Sequence, residues 1–257
     1  RSQPNKTFNI IESRDAMGGT WDLFRYPGIR SDSDMHTLGY SFKPWRDKKA
    51  IADGTAIREY IHQSAAEYGI EKHIQYQRRV IAAAWDSGTA KWTLTIERTG
   101  AEHETLTCNF IYSCTGYYRY DQGYTPDFPG AEQFTGKLVH PQQWPEDLDY
   151  SGKRVVVIGS GATAVTLVPS MAKTAAHVTM LQRSPTYVIS RPDTDVVSQA
   201  LGKILPEKIA YGLTRWKNVS LQALMFQLSR RCPALVKKLL RRSARHWLGD
   251  DFDIDTH

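Results

Sequence analysis

Residues 154–164 read Arg-Val-Val-Val-Ile-Gly-Ser-Gly-Ala-Thr-Ala, and this stretch decides the fold. The apolar run at 155–158 predicts a buried strand that enters a G-x-G-x-x-A turn and then a helix. In such a turn the first glycine permits the bend, the second lets a pyrophosphate approach, and the alanine allows close helix–strand packing. We therefore predict dinucleotide binding by Gly159, Ser160, Gly161, Ala162, Thr163 and Ala164. A tight turn without a ligand is the alternative.

The strand that follows, residues 178–182, indicates which dinucleotide binds. An NAD site ends this strand with an acid for the ribose 2′-hydroxyl, whereas an NADP site offers an arginine to the 2′-phosphate. Here the chain continues with Gln182, Arg183 and Ser184. Arg183 supplies a permanent charge with a bidentate fork, and Ser184 a further donor. We predict NADP(H); the alternative is a solvated arginine at a strand end.

A second strand with different chemistry lies near the start of the chain. Residues 7–13 (TFNIIES) predict a buried strand that ends at an acid, Glu12. An acid there fits a nucleotide with a free 2′-hydroxyl, and FAD is the natural candidate. The alternative is that Glu12 is merely exposed. Six polar residues precede the strand, so we expect a fragment of a longer protein whose first strand and glycine loop lie outside this chain.

The remaining pattern is mixed α/β. Residues 17–40 show neither helical nor strand periodicity. Spacing of apolar residues predicts a helix at 54–69 that stops at Gly69. Alternating segments predict an antiparallel meander, and a long basic region has a helical pattern. These segments are 79–86, 91–98 and 104–113 for the meander and 199–249 for the helices.

Composition excludes several classes of protein. The 257 residues carry 33 basic and 27 acidic side chains, a net charge of +6, with 41% hydrophobic and 23% charged residues. These values are typical of a globular protein and argue against disorder. Three cysteines and the lack of a leader or a long apolar run predict a cytoplasmic protein. Basic residues are not interleaved with aromatic ones, so no nucleic-acid partner is expected. No metal site is predicted.

Residues 134–145 (FTGKLVHPQQWP) form the pattern F-x-G-x-x-x-H-x-x-x-W-P. With Phe134, Gly136, His140 and Trp144 in these places, the segment resembles the fingerprint of type I Baeyer–Villiger monooxygenases, in the flavin-containing monooxygenase superfamily. The resemblance associates the fingerprint with domain movement and cofactor cycling, and it makes His140 a hinge anchor rather than an acid or base. Without the resemblance, the segment is a linker with His140 satisfied internally.

Other motifs extend the resemblance over essentially the whole chain. The run Gly18, Gly19, Thr20, Trp21 is similar to the flavin-contacting G-G-x-W of the family. Residues 26–32 (YPGIRSD) are similar to its Y-P-G-x-R-x-D segment, which places Asp32 near the flavin ring. Residues 113–116 (SCTG) resemble its strand-end A-T-G. Within the family, the mycobacterial ethionamide-activating subgroup is the most similar.

The resemblance implies a flavoprotein with two dinucleotide-binding domains, Rossmann-like FAD and NADP domains, an antiparallel meander and a helical insertion. The fold class is α/β, incomplete in this chain. The expected boundaries are a partial FAD domain at 1–133, a fingerprint linker at 134–150, the start of the NADP domain at 151–198, and an incomplete helical insertion at 199–257.

The resemblance also implies the chemistry. NADPH reduces FAD, O₂ adds at flavin C4a, and the peroxide attacks a ketone or a sulfide. A fixed positive charge near the flavin would stabilise the developing negative charge. The family uses an arginine held by the aspartate that Asp32 matches. Arg191 is the nearest candidate, and a solvated loop arginine is its alternative.

Three functions remain open from the sequence. The leading one is an FAD- and NADPH-dependent monooxygenase that converts ketones into esters or lactones and also oxidises sulfides. The second is a flavin monooxygenase that oxidises nitrogen or sulfur, and the third is a non-catalytic nucleotide-binding fragment. We expect this chain alone to be inactive.

Residues 221–248 form a basic helical stretch in which leucines alternate with lysine and arginine, and Pro233 divides it. We interpret it as an insertion packed on the NADP domain with a solvated basic face. Loose attachment to an anionic membrane surface is the alternative.

Overall fold

The computed structural model describes residues 5–98, 100–184, 186–249, 252 and 254. The chain forms two compact units. Unit 1 comprises Arg1–Arg25 and Thr55–Pro145, and unit 2 comprises Tyr26–Gly54 and Glu146–His257. The units divide the chain differently from the expected domains, whose boundaries stay a prediction.

The regular elements follow one another as strands and helices of very different lengths. In chain order they are β1 (Ile10–Ile11), α1 (Thr20–Leu23), α2 (Met35–Leu38), α3 (Gly54–Glu67), β2 (Ile74–Gln75), β3 (Arg78–Asp86), β4 (Lys91–Arg98), β5 (Glu104–Cys108), β6 (Arg154–Ile158), α4 (Ala162–Met171), β7 (His177–Leu181), α5 (Val196–Ile204), α6 (Glu207–Arg231) and α7 (Pro233–Leu248).

The meander of unit 1 has the antiparallel order β3-β4-β5. Leu94 and Ile96 alternate on the buried face of β4, as the period of two requires. The third strand is shorter than predicted and ends at Cys108 rather than at residue 113. The ladder ends at the pair of Cys108 with Trp92, one residue from the start of β4 at Lys91, so β4 is too short to pair with the chain as far as residue 113.

The first strand departs from its prediction in length and burial. Only Ile10 and Ile11 are extended in a ladder, and they pair in parallel with β2. Phe8 is 51% exposed, so the predicted buried strand at 7–13 is wrong for most of its length. A two-residue partner strand cannot order seven residues.

Unit 2 contains a β-α-β unit that matches the sequence pattern. Strands β6 and β7 are parallel, with Ile158 opposite Leu181, and α4 connects them. Val156 and Ile158 are nevertheless 61% and 57% exposed, so the prediction of a buried strand is wrong within the described residues. The described sheet has two strands, and one helix covers only one of its faces.

Residues 17–40 contain two one-turn helices, α1 and α2, where no helix was predicted. A helix of four residues leaves most of its backbone groups without intrahelical partners, so local periodicity cannot reveal it. The predicted helix at 54–69 is confirmed as α3, and Gly69 adopts a left-handed conformation with φ of 62° after it.

The basic region forms three helices, with breaks before Glu207 and at Cys232. Asp195 caps α5 by accepting the backbone N–H of Ser198 at 3.0 Å. Lys217 of α6 reaches the same carboxylate at 2.6 Å. In the described part of the chain, no helix is both long and apolar enough to span a membrane.

Candidate functional site

The glycine turn in unit 2 has the conformation that the sequence motif requires. Gly159 has a φ of 123°, which side chains other than glycine rarely adopt. Its N–H donates to the carbonyl of Leu181 at 2.8 Å, so the turn is fixed to the end of β7. Gly161 then begins α4 as its N-cap.

The fold does not require a glycine at position 161, because neither the backbone conformation nor the surrounding atoms exclude a side chain there. Its φ of −75° and ψ of −179° are extended, and a Cβ added to it would meet no atom of the described residues within 4 Å. No side chain caps the helix, and its first turn carries no acid. Free backbone N–H groups at an uncapped N-terminus, with open space above them, fit a pyrophosphate.

Arg183 and Ser184 follow β7 after one residue, Gln182, and both are exposed. Because β6 and β7 are parallel neighbours, the glycine turn and Arg183 follow the same edge of the sheet. This is the edge at which an open α/β sheet binds its ligand. The structure therefore places the predicted pyrophosphate-binding turn and the predicted 2′-phosphate ligands at the same edge of the sheet.

The Y-P-G segment packs on the same helix. Tyr26 is buried, and its hydroxyl is hydrogen-bonded with the Thr163 side chain of the glycine turn. Burial raises the pKa of this phenol above its ordinary value, and the Asp32 carboxylate adds to the effect while the bond to Thr163 opposes it. Gly28 has a φ of 78°, and a Cβ there would overlap the Ser170 side chain.

Gly28→Ala is expected to lower the free energy of unfolding by about 1–3 kcal/mol, because it combines a left-handed backbone with an overlap against α4. Thermal unfolding of the intact protein would measure this loss. Gly69→Ala is the matched control, since it has a similar φ of 62° and no atom within 4 Å of its Cβ. Equal losses in the two variants would show that close packing on α4 contributes nothing.

Asp32 and Arg191 both lie in unit 2 and both are exposed. No ion pair joins them among the described residues. Their segments are nevertheless connected through the backbone. Ser31 donates its N–H to the carbonyl of Ala52 at 2.8 Å. The N–H groups of Ala50 and Ile51 donate to the backbone carbonyl of Asp193, two residues after Arg191. The roles of Asp32 and Arg191 stay predictions.

In unit 1, Glu12 stands at the end of β1 as predicted. Its Oε1 atom accepts the backbone N–H of Arg14 at 2.9 Å, and its N–H donates to the carbonyl of Gln75 at 3.0 Å. Glu12 as a residue is half-buried rather than merely exposed. Its second oxygen has no hydrogen bond in the described contacts, so it can accept one from a ligand.

The G-G-T-W turn is held by an ion cluster centred on Asp22, which is 12% exposed. Arg14 donates to Asp22 at 2.7 Å and to the carbonyl of Gly19 at 3.3 Å, while Arg25 and Arg58 also lie beside the carboxylate. Burial alone would raise the pKa of Asp22. The hydrogen bond and charge of Arg14, with those of Arg25, outweigh it and hold the pKa below its ordinary value.

Local contacts explain two residues of the fingerprint segment, Gly136 and His140. A Cβ on Gly136 would overlap the ring of Phe134, so the ring folds back over this glycine. His140 precedes a 3₁₀ turn at Pro141–Gln143, and its Nδ1 accepts the backbone N–H of Gln142 at 3.2 Å. A neutral imidazole that accepts at Nδ1 carries its proton on Nε2. Trp144 is half-buried.

The sequence patterns do not predict that the fingerprint segment is connected to the G-G-T-W turn. Gln142 and Gln143 donate to the carbonyls of Arg119 and Asp121 at 3.3 and 3.1 Å. Between these two residues, Tyr120 places its hydroxyl 3.4 Å from Oγ1 of Thr20. The contacts join residues about 20 and 100 positions apart, and no local pattern signals them.

The comparisons with known proteins agree with this geometry. The model of the flavin-binding monooxygenase-like family matches residues 35–236. The FAD-containing monooxygenase EthA of Mycobacterium tuberculosis (strain H37Rv) is 51% identical over 255 residues, covering 99% of this chain and 52% of the relative. EthA of Mycolicibacterium smegmatis is 52% identical over 255 residues, covering 99% and 52%. The chain thus spans about half the length of these relatives.

Solved structures give the same result and confirm the predicted fold class. An oxidised steroid monooxygenase bound to NADP superposes with a TM-score of 0.68 at 30% identity, over 82% of this chain and 40% of that one. OTEMO in complex with FAD and NADP gives 0.62 at 32% identity, over 73% and 36%. OTEMO holds both predicted cofactors, FAD and NADP, and the steroid monooxygenase holds NADP. The resemblance that the sequence motifs indicated is confirmed, and the chain belongs to the flavin-binding monooxygenase-like family.

Proposed function

We propose that this chain is part of an FAD- and NADPH-dependent monooxygenase of Baeyer–Villiger type. In the overall reaction a ketone, O₂, NADPH and a proton give an ester or lactone, water and NADP⁺. Thioethers are a second substrate class. The observation that carries the proposal is that the open glycine turn and Arg183 both follow the same edge of the β6–β7 sheet.

Residues of unit 2 would hold NADPH. The N-terminus of α4 offers backbone N–H groups to the pyrophosphate, with room left by Gly161. Arg183 and Ser184 would bind the 2′-phosphate. Thr163 is held by the buried Tyr26, which fixes the turn before the cofactor arrives.

Residues of unit 1 would hold FAD. The free oxygen of Glu12 would accept a ribose hydroxyl, and the turn from Gly18 to Trp21 would contact the flavin. When bound, FAD would accept hydride from NADPH and activate O₂ for transfer to the substrate. The Asp22 cluster would keep the turn in one conformation.

The fingerprint residues would serve the movement that separates flavin reduction from oxygen transfer. Unit 1 ends at Pro145, the last fingerprint residue. His140, bonded to its own turn through Nδ1, supports the role of a hinge anchor. We place the FAD domain, linker, NADP domain and helical insertion at the boundaries expected from the sequence.

The decisive experiment is NADPH oxidation by the purified intact protein, followed with a ketone and with a thioether. An absorption spectrum of bound flavin and an ester product with one added oxygen would support the proposal. A sulfoxide without any ester from a panel of ketones would favour the sulfur-oxidising alternative. A protein without flavin would contradict both.

Arg183→Ala is expected to raise the KM for NADPH by about 10- to 150-fold and to leave the KM for NADH nearly unchanged, since a charged hydrogen bond contributes about 1.5–3 kcal/mol. Steady-state kinetics with both nucleotides would measure this. NADH serves as the internal control because it lacks the 2′-phosphate. An equal rise for both nucleotides would exclude Arg183 as the ligand of that phosphate.

A further inference from the structure

The helical segment makes specific contacts with the segment that carries Asp32. Asp34 caps the one-turn helix α2, and its Oδ1 accepts the N–H and hydroxyl of Thr37 at 2.9 and 3.0 Å. The same oxygen accepts from Nδ2 of Asn218 on α6 at 2.9 Å. Gln222, one turn further along α6, reaches the other carboxylate oxygen at 3.4 Å.

Arg215 of α6 binds the opposite end of α2. Its Nη1 donates to the backbone carbonyls of His36 and Thr37 at 3.2 and 2.7 Å. The last carbonyls of a helix have no intrahelical partner, and a half-buried guanidinium satisfies them here. Because one helical turn is unstable on its own, α6 determines the conformation of α2 from both ends.

Asp32 lies next to this helix and is fixed from the other side as well. Ser31 is 1% exposed, and its Oγ accepts the N–H of Ala52 at 3.0 Å. The N–H of Met35 donates to the carbonyl of Ala50 at 2.7 Å. Asp32 therefore stands in a short, exposed bend between two anchored points, the second of which α6 secures.

We propose that Arg215 and Asn218 are positioning residues that hold Asp32 in the place where it acts. The inference rests on the proposed function, in which Asp32 works beside the flavin. In this proposal, Arg215 and Asn218 of α6 contribute to the reaction and are not merely part of a solvated surface. Neither residue touches the reacting atoms.

The test uses Arg215→Met in the intact protein, with Arg231→Met as the matched control because Arg231 is an exposed arginine at the end of the same helix. We expect kcat to fall about tenfold through displacement of Asp32, with the KM for NADPH unchanged and with no effect in the control. Asn218→Ala, which removes one neutral hydrogen bond, should give a smaller fall in the same direction and serves if Arg215→Met does not fold.

Two readouts separate positioning from general support of the fold. In an Asp32→Asn background, Arg215→Met should change kcat less than twofold, because residues that act through one another are not additive. A full tenfold effect in that background would overturn the proposal. Hydrogen–deuterium exchange at Met35, Thr37 and Gly39 should accelerate in Arg215→Met whether or not the protein is a monooxygenase. Unchanged exchange would overturn the proposal independently of the assigned activity.

Discussion

Gly161→Thr is expected to weaken NADPH binding by about 100-fold, which corresponds to about 2.7 kcal/mol, and to leave the free energy of unfolding nearly unchanged. The local geometry explains why binding should be lost while stability is kept. The backbone at Gly161 is extended, and within the part of the chain that the structure describes a Cβ meets no atom within 4 Å, so the fold accepts a side chain. Threonine and glycine are also similar N-caps.

The loss of binding has two causes. The threonine side chain would fill the space through which the pyrophosphate approaches the turn. Its hydroxyl would also accept a hydrogen bond from the first turn of α4 and so occupy a donor that the phosphate needs. Titration of the intact protein with NADPH, followed by intrinsic fluorescence, would give the dissociation constant, and thermal unfolding would give the stability.

Gly202→Thr is the control for this variant. Gly202 lies exposed in α5, and a Cβ there also meets nothing within 4 Å. We expect it to affect neither NADPH binding nor stability. If Gly161→Thr binds NADPH as tightly as Gly202→Thr does, the glycine turn does not contact the pyrophosphate, and the assignment of the NADP site fails.

The parts of the fold that were predicted correctly are those encoded by neighbouring residues. The unit β6–α4–β7 follows from an apolar run, two glycines and a second apolar run. The meander follows from alternation, and the end of α3 from Gly69. In each case the periodicity and the turn residues lie within about 30 positions, so the chain carries the signal locally.

The parts that were missed depend on contacts between distant residues. Helix α2 is hydrogen-bonded at both ends to Arg215 and Asn218, which lie about 180 positions away in sequence. A capping signal was available, since Asp34 stands three residues before Thr37, but a cap alone does not predict a helix of one turn. The fit of Gly28 against Ser170 and the contact of Tyr120 with Thr20 have no local signature at all.

In the candidate site, too, some residues are predictable from their sequence neighbours and others depend on distant contacts. The residues of the glycine turn were identified from the sequence because their spacing is itself the binding geometry. The environment of Asp32 was not, because its neighbours Ser31 and Asp34 are fixed by residues 50–52 and by α6. Motifs therefore name the groups that contact a ligand, whereas the groups that hold them in place become visible only in three dimensions.

Asp32→Asn is expected to lower kcat by about 100-fold, in the range found when one charge-stabilising group is removed from an active site, and to leave NADPH affinity unchanged. Asp32 is exposed, and none of the ion pairs among the described residues of unit 2 involves its carboxylate. It is therefore available to orient an arginine beside the flavin. The asparagine amide has the same shape and keeps the bend, but it lacks the charge that would orient the arginine.

Asp147→Asn is the matched control, because Asp147 is an exposed aspartate of the same unit with no hydrogen bond or ion pair among the described contacts. Rapid-mixing absorption measurements would separate flavin reduction by NADPH from transfer of oxygen to the ketone. We expect Asp32→Asn to slow one of these steps and the control to slow neither. Full activity of Asp32→Asn would mean that the carboxylate has no part in the reaction, and the arginine would then have to be oriented by another group.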